Sequence, residues 1–319
     1  MVGAPPLLVI VGPTGVGKTA VAVRVAARLP VEAVNADSRQ VYRGMDIATG
    51  KPTAEERAAL THHGLDVVDP DERYHAARFR ADALESISGI ERRGGLPMVV
   101  GGTGLYVRAL LKGLRPALPA QPTLRAELEM FAAAQGSPAL HARLSRVDPE
   151  AAGRLHPNDR VRIVRAMELY MLGWRAPNSG AAAAAGDWSG AIPPWRLLMV
   201  GLCRSREALN RRLAERAREM LARGMMEEVR RLLAAGYDES LPSMAGIGYR
   251  QFCAVLRGRM SQAEALRLMI RDTLRYAKRQ MTWFSRDPEI RWIDVDAAGG
   301  LDAAAESVLK AVAQERLIA

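Results

Sequence analysis

Cysteine is nearly absent from this chain: Cys203 and Cys253 are the only two in 319 residues. Two thiols make neither a zinc site on their own nor a disulfide framework, so a reducing cytoplasm is the expected setting. Histidine is scarce too, with five residues and no metal-ligand spacing. His62 and His63 are adjacent, so on a strand they would face opposite ways and share an ion poorly. Long apolar runs are missing, since no window approaches the ~18 uncharged apolar residues of a membrane span. No membrane partner is expected. The start, MVGAPPLLVIVGPTG, has no basic segment ahead of its apolar run and no signal-type cleavage site, which argues against a secretory leader. Lysine is the last scarcity: five residues against 40 arginines among the 45 basic ones.

What remains is ordinary globular composition, 49% hydrophobic and 25% charged, so one large or two modest domains with a sizeable core are expected. The net charge of +10 favours polyanionic partners. Arginine and alanine abundance can reflect a GC-rich genome, but the position of the charge is informative. Residues 204–291 hold 19 basic and 11 acidic side chains, which is +8 of the +10. Within this stretch Arg271, Arg275, Lys278 and Arg279 fall at i, i+4, i+7 and i+8, one face of a helix. Ile270, Leu274, Ala277, Met281 and Phe284 form the opposing apolar stripe. Such a helix either presents a basic face to phosphates or is simply solvated.

Strands alternate with helices in the first third of the chain. Leu7–Val11, Val31–Asn35, Leu65–Val68 and Met98–Val100 read as short buried strands, with Ala20–Leu29 and Phe79–Arg92 as helices. Alternation of this kind implies an α/β fold, a parallel sheet flanked by helices. Pro116, Pro119 and Pro122 then crowd a linker, and Thr123–Ala134, Pro138–Leu144 and Asp159–Leu172 are helical. Asn178–Gly186, with five consecutive alanines, reads as a mobile loop, and after Pro193-Pro194 the run Arg196–Leu202 is again strand-like. Long helices, Ser205–Ala222 and Gln262–Phe284, fill the remainder. The expected organisation is an α/β core over 1–115, an all-helical insertion domain over 116–194, and the returning sheet with basic helices over 195–319.

Gly12, Pro13, Thr14, Gly15, Val16, Gly17, Lys18 and Thr19 fit G-x-x-x-x-G-K-[ST] at a strand-to-helix junction. Glycines there let backbone N–H groups turn toward phosphate oxygens at a helix N-terminus. Lys18 adds a point charge and the Thr19 hydroxyl can ligate Mg²⁺. Adenosine is not demanded by this P-loop. The strand after Leu96 ends in Gly101-Gly102-Thr103-Gly104, without the acid that usually holds Mg²⁺ in an NTPase, so NTP hydrolysis is not the default reading.

Ligands of an open parallel sheet bind at the carboxyl ends of its strands. The P-loop, Asp37-Ser38-Arg39-Gln40 and Gly101–Leu105 all fall at that edge. Asp37 and Thr103 each have a structural alternative, an Asx turn or a helix N-cap; sharing an edge with a phosphate loop favours chemistry.

After GPTGVGKT, the blocks VNADSRQVYRGMDIATGKP (34–52), VVGGTGLYVRALLKGL (99–114), HPNDRVRIVRAMEL (156–169), AGIGYRQ (245–251) and YAKRQMTWF (276–284) follow in order. In this the chain resembles the bacterial tRNA dimethylallyltransferases, which prenylate the adenosine 3′ of the anticodon. The resemblance implies a P-loop NTPase-like sheet with a helical insertion. It also implies transfer of a dimethylallyl group from dimethylallyl diphosphate to the exocyclic N6 amine, with release of diphosphate. By matching positions, Asp37 would be the general base, Thr103 a neighbour of the base and donor, and Arg216 a clamp on the diphosphate beside Lys18. The tRNA contacts would come from Asp37, Ser38, Arg39, Gln40, Thr103, Arg125, Arg162, Arg165, Gly246, Gly248, Tyr249, Arg250, Lys278, Arg279, Gln280 and Trp283. Mg²⁺ on Thr19 is the implied cofactor, the anticodon stem-loop of tRNA the partner, and a monomer the expected state.

The chain departs from the family pattern where Leu274, not Arg, follows Thr273, and where Ser285 follows Trp283-Phe284. Individual RNA contacts there are in doubt, the reaction is not. A P-loop kinase of a nucleotide or small metabolite is the alternative, and it would consume ATP without needing RNA. An isopentenyl-transferase acting on free AMP, or an RNA-binding module with a vestigial phosphate loop, accounts for fewer of the blocks.

Overall fold

The computed structural model describes residues 4–114, 118, 120–174 and 195–318. Pro116, Pro119, the alanine tract of 178–186 and Pro193-Pro194 lie outside the described residues.

Six strands form one parallel sheet: β1 Pro6–Val11, β2 Val31–Ala36, β3 His62–His63, β4 Leu96–Gly101, β5 Arg196–Cys203 and β6 Ile290–Asp294, in the order β3-β2-β4-β1-β5-β6. The central strand PLLVIV is apolar at nearly every position because both faces are covered. Leu8 and Ile10 pack to one side with Val21 and Val25 of α1 (Lys18–Ala26) and Val308 and Val312 of the C-terminal helix (Leu301–Gln314). Leu7, Val9 and Val11 pack to the other, against Phe79 and Ile87 of α3 (Ala76–Arg92) and Tyr106 and Leu110 of α4 (Gly104–Lys112). Truncating a fully buried side chain such as Ile10 to Ala would cost about 2–5 kcal/mol.

Two strand expectations need correction. The third strand is His62–His63, directly after the short helix α2 (Ala54–Ala59), not Leu65–Val68. Gly64 and Asp66 have φ of 80° and 54°, which turns the chain out of the extended region before Leu65–Val68 can join the sheet. Val67 and Val68 instead donate to the Val41 carbonyl, and Val68 bridges Tyr42. The last strand, β6, was not foreseen; it pairs with β5 at the sheet edge.

Two compact units divide the chain, Met1–Lys112 with Ile192–Ala319, and Gly113–Ala191. The second unit is helical in its described part: α5 Pro122–Gln135, α6 Ser137–Val147, α7 Pro149–Gly153 and α8 Arg160–Met171, closed around Leu128, Leu140, Leu144 and Ile163. In the first unit a further helical cluster stands beside the sheet. It contains α9 Arg206–Ala222, α10 Met225–Ala234, α11 Tyr249–Leu256 and α12 Gln262–Phe284. Met45, Met225, Val229, Phe252 and Met269 are buried at its centre. No helix among the described residues is long and apolar enough to cross a membrane.

Candidate active site

The site lies at the carboxyl edge of the sheet, where β1, β2 and β4 end side by side. After β1 the chain turns through Gly12, Gly15 and Gly17, all at positive φ, and enters α1 at Lys18. After β2 comes Asp37, and after β4 the turn Gly101–Gly104 leads into α4. Thr103 N–H donates to the Ala36 carbonyl at 3.1 Å, and Ser38 N–H donates to Thr103 Oγ1 at 3.0 Å, so the last two loops are tied together.

Two cavities open on this edge. One, about 410 Å³, is walled by P-loop residues with Lys18, Thr19, Gln40, Gly50, Arg212 and Arg216. The other, about 510 Å³, has an apolar wall of Leu213, Ala217, Ile247 and Met269 and a basic rim of Arg39, Arg250, Arg275 and Arg279. Thr14, Asp37, Thr49, Arg216 and Met220 line both. The carboxylate of Asp37 therefore stands on the boundary between a phosphate-type pocket and a wider, basic-rimmed one.

The phosphate pocket is lined by charges of both signs, Lys18, Lys51, Arg212, Arg216 and Arg223 with Asp37, Glu56, Glu215 and Glu219. Lys18 Nζ folds back onto the Gly12 and Pro13 carbonyls, each at 3.0 Å. Burial lowers its pKa to about 8, and nearby Arg216 adds to the lowering while Asp37 opposes it. Arg216 is shifted down as well, by burial first and then by neighbouring Arg212. Two cations held where their charge is disfavoured are prepared for a multiply charged ligand. Thr19 lines the same cavity in the first turn of α1. Mg²⁺ keeps water and phosphate oxygens in its shell and needs only one or two protein oxygens, so a lone Thr19 hydroxyl fits it. Among the described residues no cluster of three His, Cys, Asp or Glu could hold a metal by itself.

Asp37 does make the Asx turn that its position allows: Oδ1 accepts from Arg39 N–H at 2.8 Å. Among the described residues Oδ2 has no hydrogen-bond donor, which leaves it available at the cavity boundary. Thr103 immediately precedes α4 and sits beside the hydroxyl of Tyr276. Burial, with Asp37 nearby, pushes that phenol up to about 12.

The remaining predicted residues separate by surroundings. Arg39 donates to the Pro242 and Ser243 carbonyls, Gln40 to those of Thr49 and Gly50, and Arg250 to Asp272. Gly246 lies against Arg39, and Gly248, at φ 95°, precedes α11. Tyr249 is buried, with its hydroxyl on Glu228 at 2.7 Å. Lys278, Arg279 and Trp283 share the outer face of α12, around a shallow depression with Thr282 and Arg286. Gln280 is buried on the opposite side. In the helical unit Arg125 and Arg165 both donate to the fully buried Glu168, each at 2.6 Å, whereas Arg162 is exposed and pairs with Asp159.

Sequence reasoning missed the residues that hold the site's wall. Glu228 of α10 accepts from the backbone N–H groups of Asp46, Ile47 and Ala48 at 3.0, 2.8 and 3.5 Å. Lys51 Nζ, buried, bonds the Tyr42 carbonyl, Asp46 and Asp66. Together they set the path of 42–51. Gln280, expected among the tRNA contacts, is buried instead, and its place inside an apolar helical stripe, three residues after Ala277 and four before Phe284, was the available signal.

Residues 40–287 match the family model described as IPP transferase, and residues 5–66 that described as isopentenyl transferase. The chain is 48% identical over 291 residues to the tRNA dimethylallyltransferase of Geobacter sulfurreducens, covering 91% of this chain and 92% of that one. It is 44% identical over 312 residues to that of Desulforudis audaxviator, covering 98% and 99%. Among solved structures, the full-length tRNA isopentenylpyrophosphate transferase of Bacillus halodurans superposes with a TM-score of 0.70 at 37% identity over 97% of this chain and 96% of that one. A eukaryotic dimethylallyltransferase acting on tRNA gives 0.78 at 27% identity, over 98% and 79%. These likenesses favour prenyl transfer over the phosphoryl transfer that the phosphate loop alone left open. The chain belongs to the IPP transferase family.

Proposed function

We infer that this protein transfers a dimethylallyl group from dimethylallyl diphosphate to the N6 amine of the adenosine 3′ of the anticodon in tRNA. The observation that carries the reading is the placement of Asp37 on the shared boundary of the two cavities. The diphosphate occupies the pocket of Lys18, Thr19 and Arg216, and the adenine enters the basic-rimmed cavity.

An allylic diphosphate departs once the charge on its bridging oxygen is stabilised. Loop N–H groups, Lys18 and Arg216 supply fixed positive potential there, in a site partly cleared of water. The Thr19 hydroxyl would hold Mg²⁺, which offsets leaving-group charge when bound. The C–O bond breaks as the C–N bond forms, and diphosphate leaves with the bonding pair. The amine proton passes to Asp37 Oδ2, a transfer worth roughly 10²–10⁴-fold. Thr103 lines neither cavity itself; bonded to Ser38 N–H and beside Tyr276, it ties the loop after β4 to the loop that carries Asp37.

The target base sits in an RNA loop and must be turned out to reach the cavity, so cations and a stacking surface are needed around it. Lys278, Arg279 and Trp283 offer these on α12. Action in the cytoplasm accords with two free cysteines and an RNA substrate. The test is incubation of the purified chain with Mg²⁺, dimethylallyl diphosphate and unmodified tRNA, followed by nucleoside mass spectrometry. Added C5H8 mass on one adenosine supports the reading, and an unmodified RNA refutes it.

A further inference from the structure

Helix α12 has two faces with different duties. Lys278, Arg279, Thr282 and Trp283 face outward, whereas Gln280, only 5% exposed, points into the molecule between two loops of the catalytic edge. Its Oε1 accepts from the Thr14 backbone N–H at 2.8 Å, and its Nε2 donates to the Gly102 carbonyl at 2.8 Å. One side-chain amide thus bolts the P-loop to the turn that carries Thr103, across 266 and 178 residues of sequence.

We infer that Gln280 is a positioning residue that fixes the shape of the phosphate cradle, and that it does not face the RNA. Three observations support it. The Thr14 N–H belongs to the cradle yet is committed to Gln280, so the loop's remaining N–H groups are held in the orientation this bond dictates. Both ends of the amide are engaged with backbone and the side chain is buried, so its polar atoms are turned away from a nucleotide at the surface. The approach is also tight: a methyl built on Gly102 would overlap Gln280 Nε2 and come within 3.2 Å of the Gly12 carbonyl oxygen. Glycine at 102 is what admits the amide. A buried amide with both hydrogen bonds made is costly to replace, because its partners are left unpaired.

The inference rests on the cradle binding a diphosphate, and its test needs neither turnover nor RNA. The full chain is titrated with magnesium diphosphate, and separately with unmodified tRNA, as wild type, Gln280→Met and Gly102→Ala. Gln280→Met keeps the volume and removes both bonds; Gly102→Ala leaves Gln280 in place and displaces its amide. Without the bolt the loop samples other orientations, and a binding-competent population cut to about a tenth weakens affinity about tenfold. We expect each variant to bind diphosphate about tenfold more weakly, and to bind tRNA within twofold of wild type. If Gln280→Met does not fold, Gly102→Ala carries the comparison. Unchanged diphosphate affinity in the folded variants, or tRNA affinity falling as far as diphosphate affinity, overturns the inference. A wild type that binds diphosphate but transfers no prenyl group would refute the transferase reading and leave this comparison decisive.

Discussion

Arg216 and Gly50 fit each other as key and slot: the half-buried guanidinium lies over the glycine, with Nη2 3.5 Å from its carbonyl oxygen, and a methyl at residue 50 would overlap Nη2. Gly50 also has φ of 62°, a backbone region that other residues enter at a cost. The glycine in the 34–52 block is therefore tied to the placement of a cation on a helix more than 150 residues later. Gly50→Ala should expel Arg216 from the phosphate pocket. We expect the KM for dimethylallyl diphosphate to rise about tenfold, the scale of one charged hydrogen bond, with tRNA affinity retained. Steady-state kinetics with each substrate varied in turn would check this, and an unchanged donor KM would show that Arg216 does not bind the diphosphate.

Asp37→Asn preserves the Oδ1 contact with Arg39 N–H and removes the proton acceptor at Oδ2. Turnover should fall by roughly 10²–10⁴-fold, while tRNA affinity stays within about twofold, as expected for a group that acts in the transition state. Single-turnover rates and a tRNA binding titration separate the two quantities. Equal losses in both would make Asp37 a binding residue only.

Lysine 18 gives a pH signature. Its folded pKa is about 8 against 10.5 for the ordinary side chain, chiefly through burial. Between those values the unfolded chain holds a proton that the folded chain has lost. This group's contribution to stability therefore rises with pH across that window, and below about pH 8 its charge is a standing penalty in the folded, ligand-free protein. Diphosphate favours the charged form, so binding should take up a proton above about pH 8 and weaken as the pH rises further. Calorimetry in buffers of different ionisation enthalpy at about pH 9 and pH 7 reads this directly. Proton uptake that persists at pH 9 in Lys18→Ala would assign it to another group.

The outer face of α12 predicts a salt effect. Each phosphate contact contributes close to one unit of slope in log affinity against log salt. Lys278→Ala with Arg279→Ala should reduce the slope for tRNA by one to two units and leave diphosphate affinity untouched. A slope equal to that of wild type would remove this face from the RNA interface.

Much of the catalytic edge was legible because glycine spacing and strand–helix alternation carry strong local signals. GPTGVGKT follows an unbroken apolar run, so loop, strand and helix could be placed together. Leu65–Val68 misled because its apolar character serves the cluster around Val41 and Tyr42, not the sheet. IRWID is short, lies at the edge and is half-exposed, so its pattern is too weak to read before its neighbour β5 is known. The arginines of the helical unit show a different limit. Glu168 lies three residues beyond Arg165, at helical spacing, but its bond to Arg125 spans 43 residues and only the fold discloses it. Gln280 was placed among the tRNA contacts by family resemblance, while its helical phase, three residues after Ala277 and four before Phe284, points inward.

The most direct test of the account is transfer itself. Purified protein is incubated with Mg²⁺, labelled dimethylallyl diphosphate and unmodified tRNA, beside Lys18→Ala and a parallel tube of labelled ATP with candidate metabolites. The account predicts label in the RNA, on the adenosine 3′ of the anticodon, lost in Lys18→Ala. Unlabelled RNA together with consumption of ATP would contradict it and return the phosphate loop to nucleotide chemistry.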